Sequence, residues 1–97
     1  MRKTYMLIRL RIFGALERYL GGDHHEVELP QGATVRDLMD LIDERWGDEL
    51  PSQFWDPEMK RFKGPVLIMS EGADVQDQDM PLADQQQLML LVPLSGG

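Results

Sequence analysis

The 97-residue sequence contains no cysteine. Disulfides, thiolate metal sites and cysteine nucleophiles are therefore excluded, and no feature indicates an oxidising compartment. Long apolar runs are also missing, because the longest run near the end covers five residues, 88–92, whereas a membrane-spanning helix needs about 20. Near the start, Arg9 and Arg11 interrupt an apolar stretch before it reaches the length of a signal peptide. We expect a soluble cytoplasmic protein without a membrane partner.

Positive charge is scarce, since ten Lys and Arg residues stand against 17 Asp and Glu and give a net charge of −7. An acidic surface repels phosphate backbones, so we expect no nucleic-acid partner. The charges are also unevenly placed. Residues 1–20 contain five bases and one acid, while residues 64–97 contain five acids and no Lys or Arg. The sequence leaves open whether these segments neutralise each other or leave an acidic face free for a basic partner.

No P-loop or Rossmann glycine pattern occurs in the sequence. A chain of this length folds as one domain, and its modest core leaves little room for a deep cleft, which argues against a stand-alone enzyme. His24 and His25 lie between two acids, but adjacent side chains in a strand point to opposite sides. We expect two exposed histidines rather than a metal site, and no cofactor bound by this chain.

Four strands are predicted, the first two from alternating apolar and polar residues and the last two from short apolar runs. The first has Met6, Ile8 and Leu10 on one side and Arg9 on the other. The last is apolar on both faces, which is typical of a strand at the centre of a sheet. Glycines and helix formers over 13–22 predict a helical turn or a tight loop. The predicted strands cover 6–12, 25–29, 65–69 and 88–92.

An amphipathic helix over 34–46 is the clearest element. Its apolar residues recur at helical spacing, while charged residues take most other positions. Thr34 can cap the N-terminus, Asp37 favours the positive end of the helix dipole, and Gly47 is placed to end the helix. The apolar positions are Val35, Leu38, Met39, Ile42 and Trp46.

Residues 48–64 are irregular, and Pro51, Pro57 and Gly64 punctuate them. They also contain three of the seven aromatic residues, Phe54, Trp55 and Phe62. An exposed aromatic cluster is an aggregation risk, so we predict that these rings pack onto the core. A partner-docking loop is the alternative.

The last five residues form the most specific motif. Pro93 lacks the N–H needed to continue a strand, so 93–97 are predicted to leave the sheet as a flexible tail. A Gly-Gly pair at a given position occurs by chance with a probability of roughly 0.5%. A frayed end without function is the plain alternative.

Four segments together resemble the ubiquitin-like sulfur carrier family of the MoaD and ThiS type, and MoaD, the molybdopterin synthase small subunit, most of all. They are 8–16 with its Phe-Gly turn, 34–38 at the helix start, 81–84 before the last strand, and 91–97 with Pro, an apolar residue and Ser-Gly-Gly. The order strand, strand, helix, strand, strand agrees with this resemblance. It implies an α+β fold of the β-grasp type, with a mixed sheet of four to five strands around one main helix. The domain would cover 1–92, and the tail 93–97.

The resemblance also implies a chemistry. A separate adenylating enzyme of the MoeB or ThiF type would use ATP to activate the carboxylate of Gly97, and a sulfur donor would convert it to a thiocarboxylate. The tail residues Pro93, Leu94, Ser95 and Gly96 would enter the partner's channel, where the absence of a Cβ at Gly96 and Gly97 keeps the carbonyl accessible. The sulfur would then serve molybdopterin synthesis through a large subunit of the MoaE type. The chain would be a carrier subunit rather than a stand-alone catalyst.

Three alternatives stay open. A thiamine-type sulfur carrier is one, although its members are shorter than this chain. A ubiquitin-like modifier joined to lysines through Gly97 is the second, and its self-conjugation could use only Lys3, Lys60, Lys63 or the N-terminus. A plain interaction domain with an incidental Gly-Gly is the third.

Overall fold

A computed structural model describes residues 4–92 of the chain. Within these residues the elements follow one another as predicted, with short additions. They are β1 (Tyr5–Phe13), α1 (Glu17–Leu20), β2 (His24–Pro30), α2 (Val35–Trp46), β3 (Trp55–Asp56), β4 (Arg61–Phe62), β5 (Leu67–Ser70), β6 (Ala73–Asp74) and β7 (Gln86–Leu91). A 3-10 turn over Gly14–Leu16 joins β1 to α1.

The main sheet has five strands in the order β2-β1-β7-β5-β6. β1 pairs with β2 in antiparallel fashion and with β7 in parallel fashion, and β7 pairs with β5 in antiparallel fashion. The sheet is therefore mixed, and β7 lies at its centre, as the apolar residues on both of its faces predicted. The predicted α+β class is confirmed.

The boundaries of α2 follow from local chemistry. The backbone N–H of Thr34 donates to Asp37 Oδ2 at 2.8 Å, which ties the residue before the helix to its first turn. At the other end, the N–H of Gly47 donates to the carbonyl of Asp43 at 2.9 Å. A Cβ at Gly47 would lie 2.5 Å from that carbonyl oxygen, so a larger residue would force the turn open.

The core lies between α2 and one face of the sheet. The segment 48–64 joins it as predicted, because Phe54 and Trp55 are buried and the ring of Phe62 meets Trp55 edge-on at 4.8 Å. The indole Nε1 of Trp55 donates to Asp43 Oδ1 at 3.0 Å and so binds this segment to the helix. The core residues of the main sheet and α2 are Met6, Ile8, Leu10, Ile12, Val27, Leu29, Val35, Leu38, Met39, Ile42, Leu88 and Leu90.

The two adjacent histidines point apart, but only one is exposed. His24 faces solvent, whereas His25 lies half-buried with its ring 5.0 Å from that of Trp46. The expectation of two exposed histidines is therefore wrong for His25. The reason is the alternation of β2, which places His25 on the same side as Val27 and Leu29.

No helix in the described part of the chain is long and apolar enough to cross a membrane. Over residues 4–92, no cluster of three or more His, Asp or Glu side chains is arranged to hold a metal ion.

Candidate docking site beside the end of the last strand

The residues predicted to carry the chemistry lie outside the described residues. They are Pro93, Leu94, Ser95, Gly96 and Gly97, so the division into a domain over 1–92 and a tail over 93–97 stays a prediction. The structure therefore shows where the chain arrives at Val92, and what surrounds that point.

β7, the strand that leads to Val92, is paired with a neighbouring strand on each side. It is hydrogen-bonded to β1 on one side and to β5 on the other, with Leu91 opposite both Phe13 and Leu67. The loop before it is tied to the start of α2, because the N–H of Val35 donates to the carbonyl of Met80 at 3.0 Å. β7 is thus fixed from three directions.

One charged pair strengthens that tie. The guanidinium of Arg36 donates to Asp79 Oδ1 at 2.9 Å. This hydrogen bond and the Asp79 charge raise the pKa of Arg36 above its already high ordinary value. Arginine is a cation at physiological pH in any surroundings, so this exposed ion pair adds a modest contact to the backbone tie.

Gly14 brings a second part of the chain against Val92. Its φ of +77° lies in the left-handed region, and an added Cβ would lie 3.2 Å from the carbonyl oxygen of Val92. Glycine meets both requirements, because it adopts positive φ without strain and leaves room for the neighbouring backbone. The Phe-Gly turn noted in the sequence is therefore a contact with the end of the last strand.

The outer face of the sheet around this point is apolar. Residues opposite one another in adjacent strands share a face, and two such rows run across β1, β7 and β5. Every residue of the first row is apolar, whereas the second row starts with Arg11. We name the apolar residues of these rows the outer patch: Phe13, Leu91 and Leu67 in the first row, and Met89 and Met69 in the second.

The outer patch is only partly covered within the described residues. Phe13 is 42% exposed, and the other four side chains are half-buried. The guanidinium carbon of Arg11 lies 5.6 Å from the centre of the Phe13 ring, a cation–π distance. Apolar and aromatic side chains with an adjoining arginine are typical of the central part of protein interfaces. This surface is suited to contact with another protein.

The sequence analysis missed the outer patch. A signal was present, since 88–92 is apolar on both faces, but that pattern was explained by the central position of β7 alone. The patch joins side chains from three strands far apart in the chain, so only their register brings them together.

Comparison with known proteins agrees with this architecture. The sequence model of the ThiS family matches residues 10–97. No curated protein matches the sequence.

Solved structures match over nearly the whole chain. A molybdopterin converting factor subunit 1 from Pyrococcus furiosus is 26% identical at a TM-score of 0.70, covering 92% of this chain and 99% of that one. SAMP1 from Haloferax volcanii is 21% identical at a TM-score of 0.77, covering 94% and 99%. Urm1 from Trypanosoma brucei is 16% identical at a TM-score of 0.72, covering 99% and 100%.

These structures share the ubiquitin-like β-grasp fold that the sequence predicted. The family match includes β2, α2 and β7 and continues to residue 97. With its mixed sheet, its single long helix and a family match over most of its length, the chain belongs to the ThiS family of ubiquitin-like proteins.

Proposed function

We propose that this protein is a sulfur carrier whose reactive group is the carboxylate of Gly97. An activating enzyme of the MoeB or ThiF type binds ATP, and the carboxylate attacks its α-phosphate. Pyrophosphate leaves, and the product is a mixed anhydride of Gly97 with AMP. A sulfur nucleophile supplied at the level of hydrosulfide then displaces AMP and leaves a thiocarboxylate. No net redox change occurs on the carrier.

The outer patch is the observation that carries this proposal. It lies beside the end of β7, where Val92 rests against Gly14, so a partner seated on the patch is close to the start of 93–97. The patch supplies apolar contact area, while Pro93, Leu94, Ser95 and Gly96 lead the reactive end into the partner. Such a division lets one surface serve both an activating enzyme and an acceptor in turn.

For the acceptor, we propose molybdopterin synthesis through a large subunit of the MoaE type. The likeness to the molybdopterin converting factor subunit 1 supports this choice, because its identity of 26% is the highest of the three structures compared above. Thiamine synthesis, or attachment of Gly97 to lysines of other proteins, would use the same activation and a different acceptor.

Intact-mass spectrometry tests the activation. The full chain is incubated with the activating enzyme, ATP and sulfide, and the expected result is a mass gain equal to the replacement of one oxygen by sulfur. A chain lacking Gly97 is the matched control and should show no gain. Absence of a gain in the full chain, with the enzyme active on another carrier, would contradict the proposal.

The acceptor is tested in a second step. The thiocarboxylated chain is mixed with the large subunit and the pterin precursor, and the added sulfur mass should be lost only when both are present. Covalent adducts on lysines of other proteins, resistant to thiols, would instead identify the chain as a modifier.

A further inference from the structure

β2 forms a free edge of the main sheet. Within residues 4–92 it pairs with β1 only, over its seven residues. Hydrogen bonds from Ile12 N–H to the carbonyl of Asp23 at 2.9 Å, and from Gln31 N–H to that of Thr4 at 3.0 Å, lie at the two ends of the ladder.

The alternation of an antiparallel ladder then decides which groups of β2 remain unpaired. Odd-numbered residues from 23 to 31 exchange hydrogen bonds with β1. The N–H and carbonyl groups of His24, Glu26 and Glu28 point away from β1, and they have no backbone partner among the described residues. Three consecutive outward-facing positions can pair with an extended strand of five or six residues.

A groove of about 440 Å³ runs between this edge and α2. Glu28 and the loop after β2 line one wall. The other wall is a stripe of α2 at helical spacing, consisting of Asp37, Asp40, Leu41 and Glu44. Half-buried Leu41 provides an apolar contact among the carboxylates.

The groove is strongly acidic. The α2 wall carries three carboxylates, those of Asp37, Asp40 and Glu44, and no Lys, Arg or His is among the described lining residues of the groove. Asp40 and Glu44 make no hydrogen bond or ion pair within residues 4–92. Arg36 lies one turn before Asp40 and interacts with its charge, but the guanidinium is hydrogen-bonded to Asp79, which is the larger interaction. The negative charge of the groove is therefore available to a partner.

A second copy of this chain does not suit the edge. Antiparallel pairing of two β2 strands would bring Glu26 and Glu28 of one copy opposite acidic or histidine positions of the other. Like charges directly opposite one another destabilise a strand pair, and acidic side chains are a common protection of sheet edges against self-association. Glu26 is already paired with Arg9 at 3.5 Å, so the charges that attract a basic strand are those of Glu28 and of the carboxylates on α2.

We propose that a partner protein adds an extended segment, with Lys or Arg at alternate positions, to the free edge of β2. Its backbone pairs with His24, Glu26 and Glu28, and its basic side chains enter the acidic groove beside α2. This surface is separate from the outer patch, because the patch lies on β7, on β5 and on Phe13, which is beyond the residues of β1 that pair with β2. The inference goes beyond the proposed function and needs no reaction at Gly97.

A capped hexapeptide of alternating Lys and Val tests the proposal by NMR titration of the full chain. We expect amide shifts concentrated at His24, Glu26 and Glu28. Two N-methylated versions of the peptide refine the test. In one, the backbone nitrogens that would face β2 are methylated, which removes the hydrogen bonds to the edge. In the other, the nitrogens that face away from β2 are methylated, which leaves those hydrogen bonds in place. One version should lose binding and the other should retain it.

Matched variants test the groove. Asp40→Asn with Glu44→Gln should weaken peptide binding about three- to tenfold, as two surface carboxylates contribute. Asp48→Asn with Glu49→Gln removes two exposed acids outside the groove and should leave binding unchanged.

Three results would overturn the proposal. They are equal binding of a Glu-Val peptide, equal binding of both methylated peptides, and equal loss in both double variants. Concentration-dependent shifts of β2 amides without peptide would identify a second copy as the occupant and would also overturn it. None of these measurements involves an activating enzyme, so failure here is distinct from failure of the carrier chemistry.

Discussion

The two faces of β7 are both apolar, yet their surroundings differ. Leu88 and Leu90 point inward and are completely buried between the sheet and α2. Met89 and Leu91 point outward into the outer patch and are only half-buried within the described structure. An apolar side chain in a strand can thus serve either to fill the core of its own chain or to contact the surface of another protein. The core contributes far more to folding than the outer surface does, so mutations can separate the two.

The largest expected difference between the faces is in stability. Leu90→Ala should lower the free energy of unfolding by about 2–5 kcal/mol, because it leaves a cavity in the core. Leu91→Ala, the adjacent residue with the same chemical change, should cost about 1 kcal/mol. Urea denaturation measures both. Equal losses would mean that the outer face is as well packed as the core and is no docking surface.

The outer face should instead dominate partner binding. Phe13→Ser should lower the rate of thiocarboxylate formation at limiting carrier by about tenfold, the effect of losing one interface hot spot. Tyr5→Ser is the matched control, an exposed aromatic at the opposite end of the same strand, and should keep the rate.

A different outcome would relocate the docking surface. Met59 is 58% exposed and follows β3 in the segment 48–64. If Met59→Ser slows the reaction more than Phe13→Ser, that segment is the docking loop and the outer patch is not.

Gly14 lies against Val92 at the end of β7, and substitutions there test how much this contact stabilises the fold. Gly14→Ala should cost about 1–2 kcal/mol, since alanine is strained at positive φ and its Cβ would press on Val92. Gly72→Ala has a similar φ of +81° and nothing within 4 Å of the added Cβ, so it reports the strain alone. Thermal unfolding of both variants gives the difference. Identical costs would show that the Gly14–Val92 contact does not matter for stability.

His25 is a polar residue on the inward side of β2, where Val27 and Leu29 are apolar. Its Nε2 is buried and has no hydrogen-bond partner among the described residues. His25→Phe keeps a ring against Trp46 and removes this unsatisfied atom, so it should raise stability by about 1 kcal/mol. His24→Phe, on the exposed side, should give no gain. A loss of stability in His25→Phe would indicate that the nitrogen is satisfied by water.

Local patterns predicted the main elements because their causes are local. The helix was located by the spacing of its apolar residues, and Thr34 and Gly47 marked its ends within one residue. Alternation located β1 and β2, a short apolar run located β5, and apolarity on both faces correctly placed β7 at the centre. The pair β3–β4 and the strand β6 were not predicted, because each of these strands has only two residues, too few to show a period.

The fate of individual side chains was less predictable. Adjacent His24 and His25 look equivalent in the sequence, and only the register of β2 on β1 sends His25 against Trp46. The tail 93–97 was recognised from its own residue types. Its role stays a prediction, because it lies outside the described residues.

The sequence by itself determined the main helix and the four longer strands, their order and the family, since periodicity, caps and the motif around Gly96 and Gly97 all lie within short segments. Only the tertiary structure brings together the residues of the two proposed docking surfaces. The outer patch combines Phe13, Leu67 and Leu91 from three distant strands, and the acidic groove combines an edge of β2 with a stripe of α2. Such surfaces depend on strand register and on how the helix packs, and both are set by long-range contacts that no local pattern contains.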